Sequence, residues 1–259
     1  MTGVAVRGTV SRAVAAALIA ALATIAGVAP AAADQGAIHL GAGDCYAAGS
    51  STAALTNSCQ SNTGLIKLVA SFTPPVQLSR FCGIEGVVNV FSSGPTLSPW
   101  WHMESSPSPG CRAGRISVSF DFTSGPGTCE DYWAGRAMGG MDYGVNKDGL
   151  GPNSARILMI CAVDETTTGP INPPTEYYGF SIVIQRSQSS GVGSCEGCLD
   201  KACFALSYIT LGQVAPLPEY TITQGVQQVV PYNGGGGPNC AIATTQKSSW
   251  GAIKSIFRY

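Results

Sequence analysis

Charged residues are scarce in this 259-residue chain. Asp, Glu, Lys and Arg together make up 11% of it, against about 25% in an average soluble protein. The 14 basic and 15 acidic residues leave a net charge of −1. No polybasic stretch marks a surface for nucleic acid or for anionic lipid, so the sequence argues against both as partners.

Signatures of catalysis are missing as well. The chain has no G-x-S-x-G, no phosphate-binding G-x-x-x-x-G-K-[ST], no H-E-x-x-H and no G-x-G-x-x-G. Its two histidines, His39 and His102, lie in no recognisable triad. A glycoside hydrolase needs only two facing carboxylates, so that alternative stays open. The acids considered for such a pair are Glu130, Asp131, Asp164, Glu165 and Glu176.

Long apolar runs are absent except at the N-terminus. Arg7 and Arg12 precede an uncharged run over residues 13–28, and three alanines end at residue 33. This pattern predicts a secretory signal peptide over residues 1–33. The run is shorter than the roughly 20 residues of a membrane span. We therefore expect an exported protein, secreted or held at the cell surface or in the periplasm, with no span after cleavage. The mature chain would carry 12 basic and 15 acidic residues.

Cysteine is abundant, and all ten residues follow the expected cleavage site. An even number in an exported chain predicts a disulfide framework. The ten are Cys45, Cys59, Cys82, Cys111, Cys129, Cys161, Cys195, Cys198, Cys203 and Cys240. Pairs suggested by proximity, or by position beside strand-like runs, are Cys45–Cys59, Cys111–Cys129 and Cys82–Cys161.

The stretch "SCEGCLDKAC" (194–203) places three cysteines in ten positions, and Cys240 would complete a set of four. Four cysteines could bind zinc, but such sites usually present two close pairs, and Cys240 stands alone. A redox C-x-x-C begins a helix in a βαβ unit, whereas this one follows a Gly/Ser-rich segment and precedes a strand. We predict a structural knot in which these four cysteines pair among themselves, with no metal and no cofactor.

Apolar residues alternate with polar ones along most of the mature chain, which is the period of a β-strand. The clearest examples are "ISVSFDF" (116–122) and "YYGFSIVIQRS" (177–187). Further strands are predicted over 37–43, 64–72, 86–93, 155–163, 202–214 and 220–224. Short strands separated by Gly/Pro-rich turns predict one all-β domain over residues 34–243, a β-sandwich of jelly-roll or immunoglobulin-like kind. The Gly-rich segment 130–144 could hold a short helix.

The C-terminal segment, residues 244–259, follows a different period. Trp250, Ile253 and Phe257 are spaced at i, i+3 and i+7, after a capping Ser249. This spacing predicts a short amphipathic helix packed on the sandwich. The alternative is a tail recognised by an export or surface-attachment system.

An ordered set of motifs carries a family resemblance over nearly the whole mature chain. It includes "CQSNTGLIKLVASFTPP", "SPWWHM", "CEDYW", "GPNSARI", "GSCEGCLDKACFALSYITL" and "SSWGAIKSIFRY". The chain resembles a family of secreted, cysteine-rich proteins of unknown function from uncultured environmental bacteria. The resemblance implies an exported disulfide-rich β domain and carries over no site residues. Cys82 and Cys161 are additions to the family pattern, which favours their pairing with each other.

Aromatic residues offer the remaining candidate for a binding site. Exposed on one face of a sandwich, such side chains stack on sugar rings, whereas buried they are core. The candidates are Trp100, Trp101, Trp133, Tyr177 and Tyr178. The sequence favours a non-catalytic extracellular protein, either structural or adhesive, that contacts glycans or cell-surface components. A secreted hydrolase with a carboxylate pair is the alternative.

Overall fold

The computed structural model describes residues 36–46, 54–236 and 240. Its strands are β1 (Ala37–Ala42), β2 (Leu65–Thr73), β3 (Leu78–Ser92), β4 (Ile116–Ser119), β5 (Met138–Val145), β6 (Ser154–Ala162), β7 (Gly169–Ile171), β8 (Tyr177–Gln185), β9 (Ala202–Gln213), β10 (Tyr220–Ile222) and β11 (Val229–Tyr232). Short 3₁₀ helices occupy Pro99–Trp101, Lys147–Gly149 and Glu165–Thr167. The expected signal peptide and C-terminal helix lie outside the described residues.

Two antiparallel sheets face each other across one core, which confirms the predicted β-sandwich. The first sheet has the order β1-β2-β8-β4. The second has the order β10-β9-β3-β6-β5, with β11 also on β9 and β7 also on β3. Alternate residues of β1, β2 and β8 enter the core between the sheets, as at Ile38, Leu40, Phe72, Phe180 and Ile182, all fully buried. This period-two pattern is why the strands could be read from the sequence.

The sandwich is closed along the β1 side by backbone hydrogen bonds. Ile38 N–H donates to the Gln224 carbonyl oxygen at 2.8 Å, and Leu40 N–H donates to Gln227 at 2.7 Å. The edge of β1 is thereby covered by the connection between β10 and β11. Covering an edge strand in this way removes a site for unwanted pairing with other chains.

Three strands were not predicted, and one predicted helix is absent. Residues 138–145 form β5, an edge strand paired with β6, and the described segment 130–144 contains no helix. The three glycines of β5 hid the alternation, because glycine carries no side chain to mark a face. Strand β3 also begins at Leu78, eight residues before its predicted start, and β7 and β11 are only three and four residues long.

Four disulfides join distant parts of the chain. They are Cys45–Cys129, Cys59–Cys198, Cys111–Cys195 and Cys203–Cys240, with sequence separations of 84, 139, 84 and 37 residues. The predicted bridges Cys45–Cys59 and Cys111–Cys129 are therefore wrong. Proximity along the chain misled because the antiparallel strands carry neighbouring cysteines to different partners.

The predicted bridge between Cys82 and Cys161 is also wrong, since neither residue takes part in a disulfide. Cys161 lies opposite Ile84 in the β3–β6 ladder, and Val163 N–H donates to the Cys82 carbonyl oxygen. The two cysteines are thus diagonal neighbours on adjacent strands. Diagonal residues are about 7–8 Å apart, beyond the Cα separation of about 4.4–6.8 Å that a disulfide requires.

The stretch "SCEGCLDKAC" is a structural knot, as predicted, but its cysteines pair differently. Cys195 and Cys198 bind Cys111 and Cys59, respectively, and only Cys203 and Cys240 pair within the expected set of four. Gly197, which lies between Cys195 and Cys198, has a φ of 90°, a conformation that glycine adopts without strain. The C-x-x-C is therefore neither a zinc ligand pair nor a redox dithiol in this structure.

Four disulfides are typical of proteins that fold in an oxidising compartment. Within the described ranges, no helix is long and apolar enough to cross a membrane.

Candidate functional site

The five aromatic residues predicted to bind a ligand do not form a surface platform. Trp100, Trp101, Trp133 and Tyr178 are fully buried, and Tyr177 is 7% exposed. The prediction that they line an exposed binding face is therefore wrong. They belong to the core that both sheets share.

The indole N–H groups of Trp133 and Trp100 hold a strand and a loop against the core. Trp133 Nε1 donates to the carbonyl oxygens of Tyr178 and Gly179 at 2.8 and 2.9 Å. Trp100 Nε1 donates to Ser189 Oγ at 3.2 Å. Because a buried indole N–H needs a partner, Trp133 fixes the start of β8 and Trp100 fixes the loop that contains Ser189.

Two regions outside the core collect polar side chains, and the first lies at the Cys45–Cys129 bridge. Asp44 follows β1, and Glu176 precedes β8. Asp44 accepts from the Cys45 backbone N–H at 2.6 Å and from Thr128 Oγ1 at 2.5 Å. Glu176 Oε1 accepts from the Ser71 hydroxyl. The β1–β2 and β2–β8 pairings bring these residues together.

Burial raises the pKa of Glu176 above its ordinary value. The negative charge of Asp44 acts in the same direction, while hydrogen bonds from Ser71 and from the Tyr46 backbone oppose the shift. A carboxyl with a raised pKa beside a second acid is the arrangement that general-acid catalysis uses.

His39 lies on the same face of the sheet, directly opposite Ser71 in the β1–β2 ladder. Its ring stacks on Tyr46, with centroids 4.3 Å apart and planes 15° apart. His39 therefore lies opposite the serine that donates to Glu176. Ser71 donates to the carboxylate rather than to the histidine, so these residues do not have the geometry of a Ser–His–acid triad.

A metal at this position would need Cys45 and Cys129 as ligands. The two sulfur atoms and a Glu176 carboxylate oxygen lie within 4.8 Å of one another. The sulfur atoms, however, are bonded to each other. Since metals bind the thiolate, the disulfide leaves only the carboxylate as a donor in this group.

The other acids that the sequence offered are engaged elsewhere. Asp131 Oδ1 accepts from the backbone N–H groups of Trp133 and Ala134. Asp164 accepts from Thr166, and Glu165 forms an ion pair with Arg80 at 3.1 Å. Glu130 bridges to Tyr177 through its backbone. Of the five acids, only Glu176 therefore belongs to a polar cluster with a second carboxylate, and that partner, Asp44, was not predicted.

The second polar region surrounds Arg112, which is fully buried. Its guanidinium donates to the carbonyl oxygens of Trp100 at 3.0 Å and Ser187 at 3.1 Å, and also to that of Gln185. Burial lowers the pKa of Arg112 to about 10. The side chain therefore stays protonated at neutral pH, and its positive charge lies at the end of the sandwich where Cys111–Cys195 joins two loops.

His102 lies in the same loop region and faces two acceptors. Its Nδ1 is 2.8 Å from Glu104 Oε1, and its Nε2 is 3.3 Å from the Leu97 carbonyl oxygen. His102 thus acts as a connector within the loop that precedes Arg112.

No model of a known protein family matches the chain, and no curated protein is significantly similar to it.

Neither region was identified from the sequence, although both contain residues with a visible signal. Arg112 follows Cys111 directly, and Asp44 precedes Cys45. Charged residues make up only 11% of the chain. A charged residue beside a structural cysteine is therefore a signal that marks both polar regions.

Proposed function

We propose that this protein acts outside the cell as a non-catalytic structural or adhesive domain that contacts extracellular glycans or cell-surface components. The observation that carries the proposal is the set of four long-range disulfides. Each one binds a loop or chain end to a distant segment, with separations of up to 139 residues. Such cross-links preserve loop shape in an environment without chaperones or cellular reductants.

Export by the N-terminal segment 1–33 is part of the proposal. It is supported by the basic and apolar pattern of that segment and by the disulfides of the domain. The resemblance to secreted cysteine-rich bacterial proteins supports the same location.

The low charge of the domain and the burial of its tryptophans also shape the proposal. A surface rich in Ser, Thr, Asn and Gln offers many hydrogen-bonding groups that suit polyhydroxylated polymers. Because Trp100, Trp101 and Trp133 are buried, contact with glycans would rely on polar and charged side chains rather than on stacking.

The test combines fractionation with a binding screen. Antibody detection in the native host should place the mature protein, lacking residues 1–33, in the medium or on the cell surface. A glycan array probed with the mature protein should show selective binding. Cytoplasmic retention of the uncleaved chain, together with no binding to any glycan or cell-wall preparation, would contradict the proposal.

A second candidate function is glycoside hydrolysis at Asp44 and Glu176. The raised pKa of Glu176 favours it, since burial stabilises the protonated form that a general acid requires. Release of reducing sugar from bacterial or plant polysaccharides, abolished by both Glu176→Gln and Asp44→Asn, would establish this activity. Unchanged turnover in both variants would exclude this pair as its source.

A further inference from the structure

The second sheet has a face that points away from the core. Ile84, Val88 and Val90 of β3 enter the core cluster, so the residues that alternate with them point outward. The β3–β6 and β3–β9 ladders place residues of β6 and β9 on the same side. We call this side the outer face and define it by Glu85, Val87, Asn89, Leu158, Ile160 and Thr210.

The middle of the outer face is buried, although the outward face of an antiparallel sheet normally contacts water. Glu85 and Asn89 are fully buried, and Val87 and Thr210 are nearly so. Tyr208, whose hydroxyl donates to Glu85 Oε1 at 2.7 Å, is buried as well. Glutamate is among the residues that are seldom buried completely. This burial indicates a further layer over the middle of the sheet.

The Cys203–Cys240 bridge fixes the start of the C-terminal segment on the same side of the sheet. Cys240 packs against a cluster of Phe91, Cys203 and Ala205 that is separate from the core. Phe91 and Cys203 are partners in the β3–β9 ladder, and Phe91 lies six residues beyond Glu85 on β3, about 20 Å along the strand. The chain that follows residue 240 therefore begins at one end of the outer face.

Residues 241–259 are long enough to cover the face from that end. Trp250 comes ten residues after Cys240, and ten extended residues reach up to about 33 Å. The amphipathic helix predicted from Ser249 onward would be about 16 Å long. Either length is comparable with the distance of about 20 Å between the Phe91 end and Glu85.

The apolar residues of the segment match those of the face. Trp250, Ile253 and Phe257 would share one side of the predicted helix. On the outer face, Val87 is paired with Leu158 in the ladder, and Ile160 follows two residues later; both β6 residues are only half-buried. These aliphatic side chains offer an apolar strip beside the polar residues.

The charges are also complementary. The segment carries three basic residues and no acid, namely Lys247, Lys254 and Arg258. The outer face and its rim leave one net negative charge, from the acids Glu85, Asp142 and Asp148 and the bases Lys147 and Arg156.

We propose that residues 241–259 fold back over the outer face as a third layer, with their apolar side chains on Val87, Leu158 and Ile160. A segment held in this way is not available to an export or surface-attachment system. The inference assigns a position to the segment and does not depend on the ligand in the proposed function.

The test is limited proteolysis of the protein with its C-terminal segment intact, followed by mass spectrometry of the released peptides. Trypsin cleaves after Lys247 and Lys254 only when the segment leaves the face. Leu158→Glu places a carboxylate in the apolar contact and should speed this cleavage about tenfold, because proteolysis follows the population of the open form.

Two further variants separate loss of docking from other effects. Leu65→Glu adds the same charge at an exposed position of β2, in the other sheet, and should be cleaved at the wild-type rate. Ile160→Ala removes apolar contact without adding a charge and should speed cleavage by a smaller factor. Thermal melting identifies any variant that fails to fold.

Wild-type cleavage rates in both Leu158→Glu and Ile160→Ala would overturn the inference, and so would the same acceleration in Leu65→Glu. Protection of the wild type that increases with protein concentration would show that a second copy of the chain covers the face, and would also overturn it. Concentration-independent protection that is lost in the two outer-face variants would support it.

Discussion

Arg112 lies over the ring of Trp100, with its guanidinium carbon 3.7 Å from the ring centroid, and donates to the carbonyl oxygen of the same residue. A cation–π contact and a charge-assisted hydrogen bond thus connect two fully buried side chains. This pair links the 3₁₀ helix at Pro99–Trp101 to the loop that begins at Cys111.

Replacing Arg112 by methionine should destabilise the domain strongly. Methionine keeps an apolar stem over Trp100 but leaves the carbonyl oxygens of Trp100, Gln185 and Ser187 without their donor. We expect the free energy of unfolding to fall by at least about 3 kcal/mol in denaturant titration. Arg115→Met, at a partly exposed position, should cost much less. Equal stability of Arg112→Met and the wild type would show that the guanidinium does not hold these loops.

Adjacent glycines in β5 should differ sharply in their tolerance of a side chain. A Cβ atom at Gly139 would lie 2.7 Å from the Cβ of Cys161 and would also meet the Ile160 carbonyl oxygen. A Cβ at Gly140 would meet nothing within 4 Å. We expect Gly139→Ala to lower stability by about 1–3 kcal/mol and Gly140→Ala to be near neutral. Similar melting temperatures for the two variants would mean that β5 does not pair with β6 in this register.

Glu176 should make stability depend on pH in an unusual direction for a carboxylate. Its pKa is raised in the folded protein, mainly by burial. The folded state therefore holds the proton more tightly than the unfolded state does. Its contribution to stability is present at low pH and is lost as pH rises from the ordinary carboxyl pKa through the raised folded value.

The matching variant is Glu176→Gln, which keeps a neutral acceptor for Ser71. The variant should gain stability relative to the wild type as pH increases through that range, and the difference should be smallest in acid. Denaturant titrations at a series of pH values measure it. A difference that grows toward acid pH would show that the pKa of Glu176 is lowered instead.

The Cys203–Cys240 bridge should contribute a large part of the stability of the domain. The double variant Cys203→Ser/Cys240→Ser opens a loop with a sequence separation of 37 residues without leaving a reactive thiol. We expect a loss of about 2–5 kcal/mol, as is usual for a structural disulfide. Treatment of the wild type with a chelator should leave its melting temperature unchanged. Melting on chelation would indicate a metal in place of the bridge.

Strand positions could be predicted because burial on one face imposes a visible alternation. Strand β8 was predicted within two residues of its end because Tyr178, Phe180, Ile182 and Ile184 recur at every second position. Strand β5 was missed because Gly139, Gly140 and Gly144 provide no such marks. Alternating side chains thus revealed β8, whereas the glycine-rich β5 and the short strands β7 and β11 were missed.

Pairing between distant residues could not be predicted, because it depends on how the sheets fold together. Cys59 and Cys198 are 139 residues apart and meet only through the fold. The same holds for Asp44 and Glu176, and for Arg112 beside Ser187. The fate of Trp100 and Trp101 was equally ambiguous, since the same residues serve a sugar-binding face when exposed and a core when buried.

The most direct test of this account is peptide mapping of the mature protein without reduction, after alkylation under denaturing conditions. It should yield four cross-linked peptide pairs, Cys45–Cys129, Cys59–Cys198, Cys111–Cys195 and Cys203–Cys240, with alkylated thiols at Cys82 and Cys161. That result would confirm that bridges between distant segments hold the loops of the domain. Bridges between Cys45 and Cys59, or between Cys111 and Cys129, would contradict it.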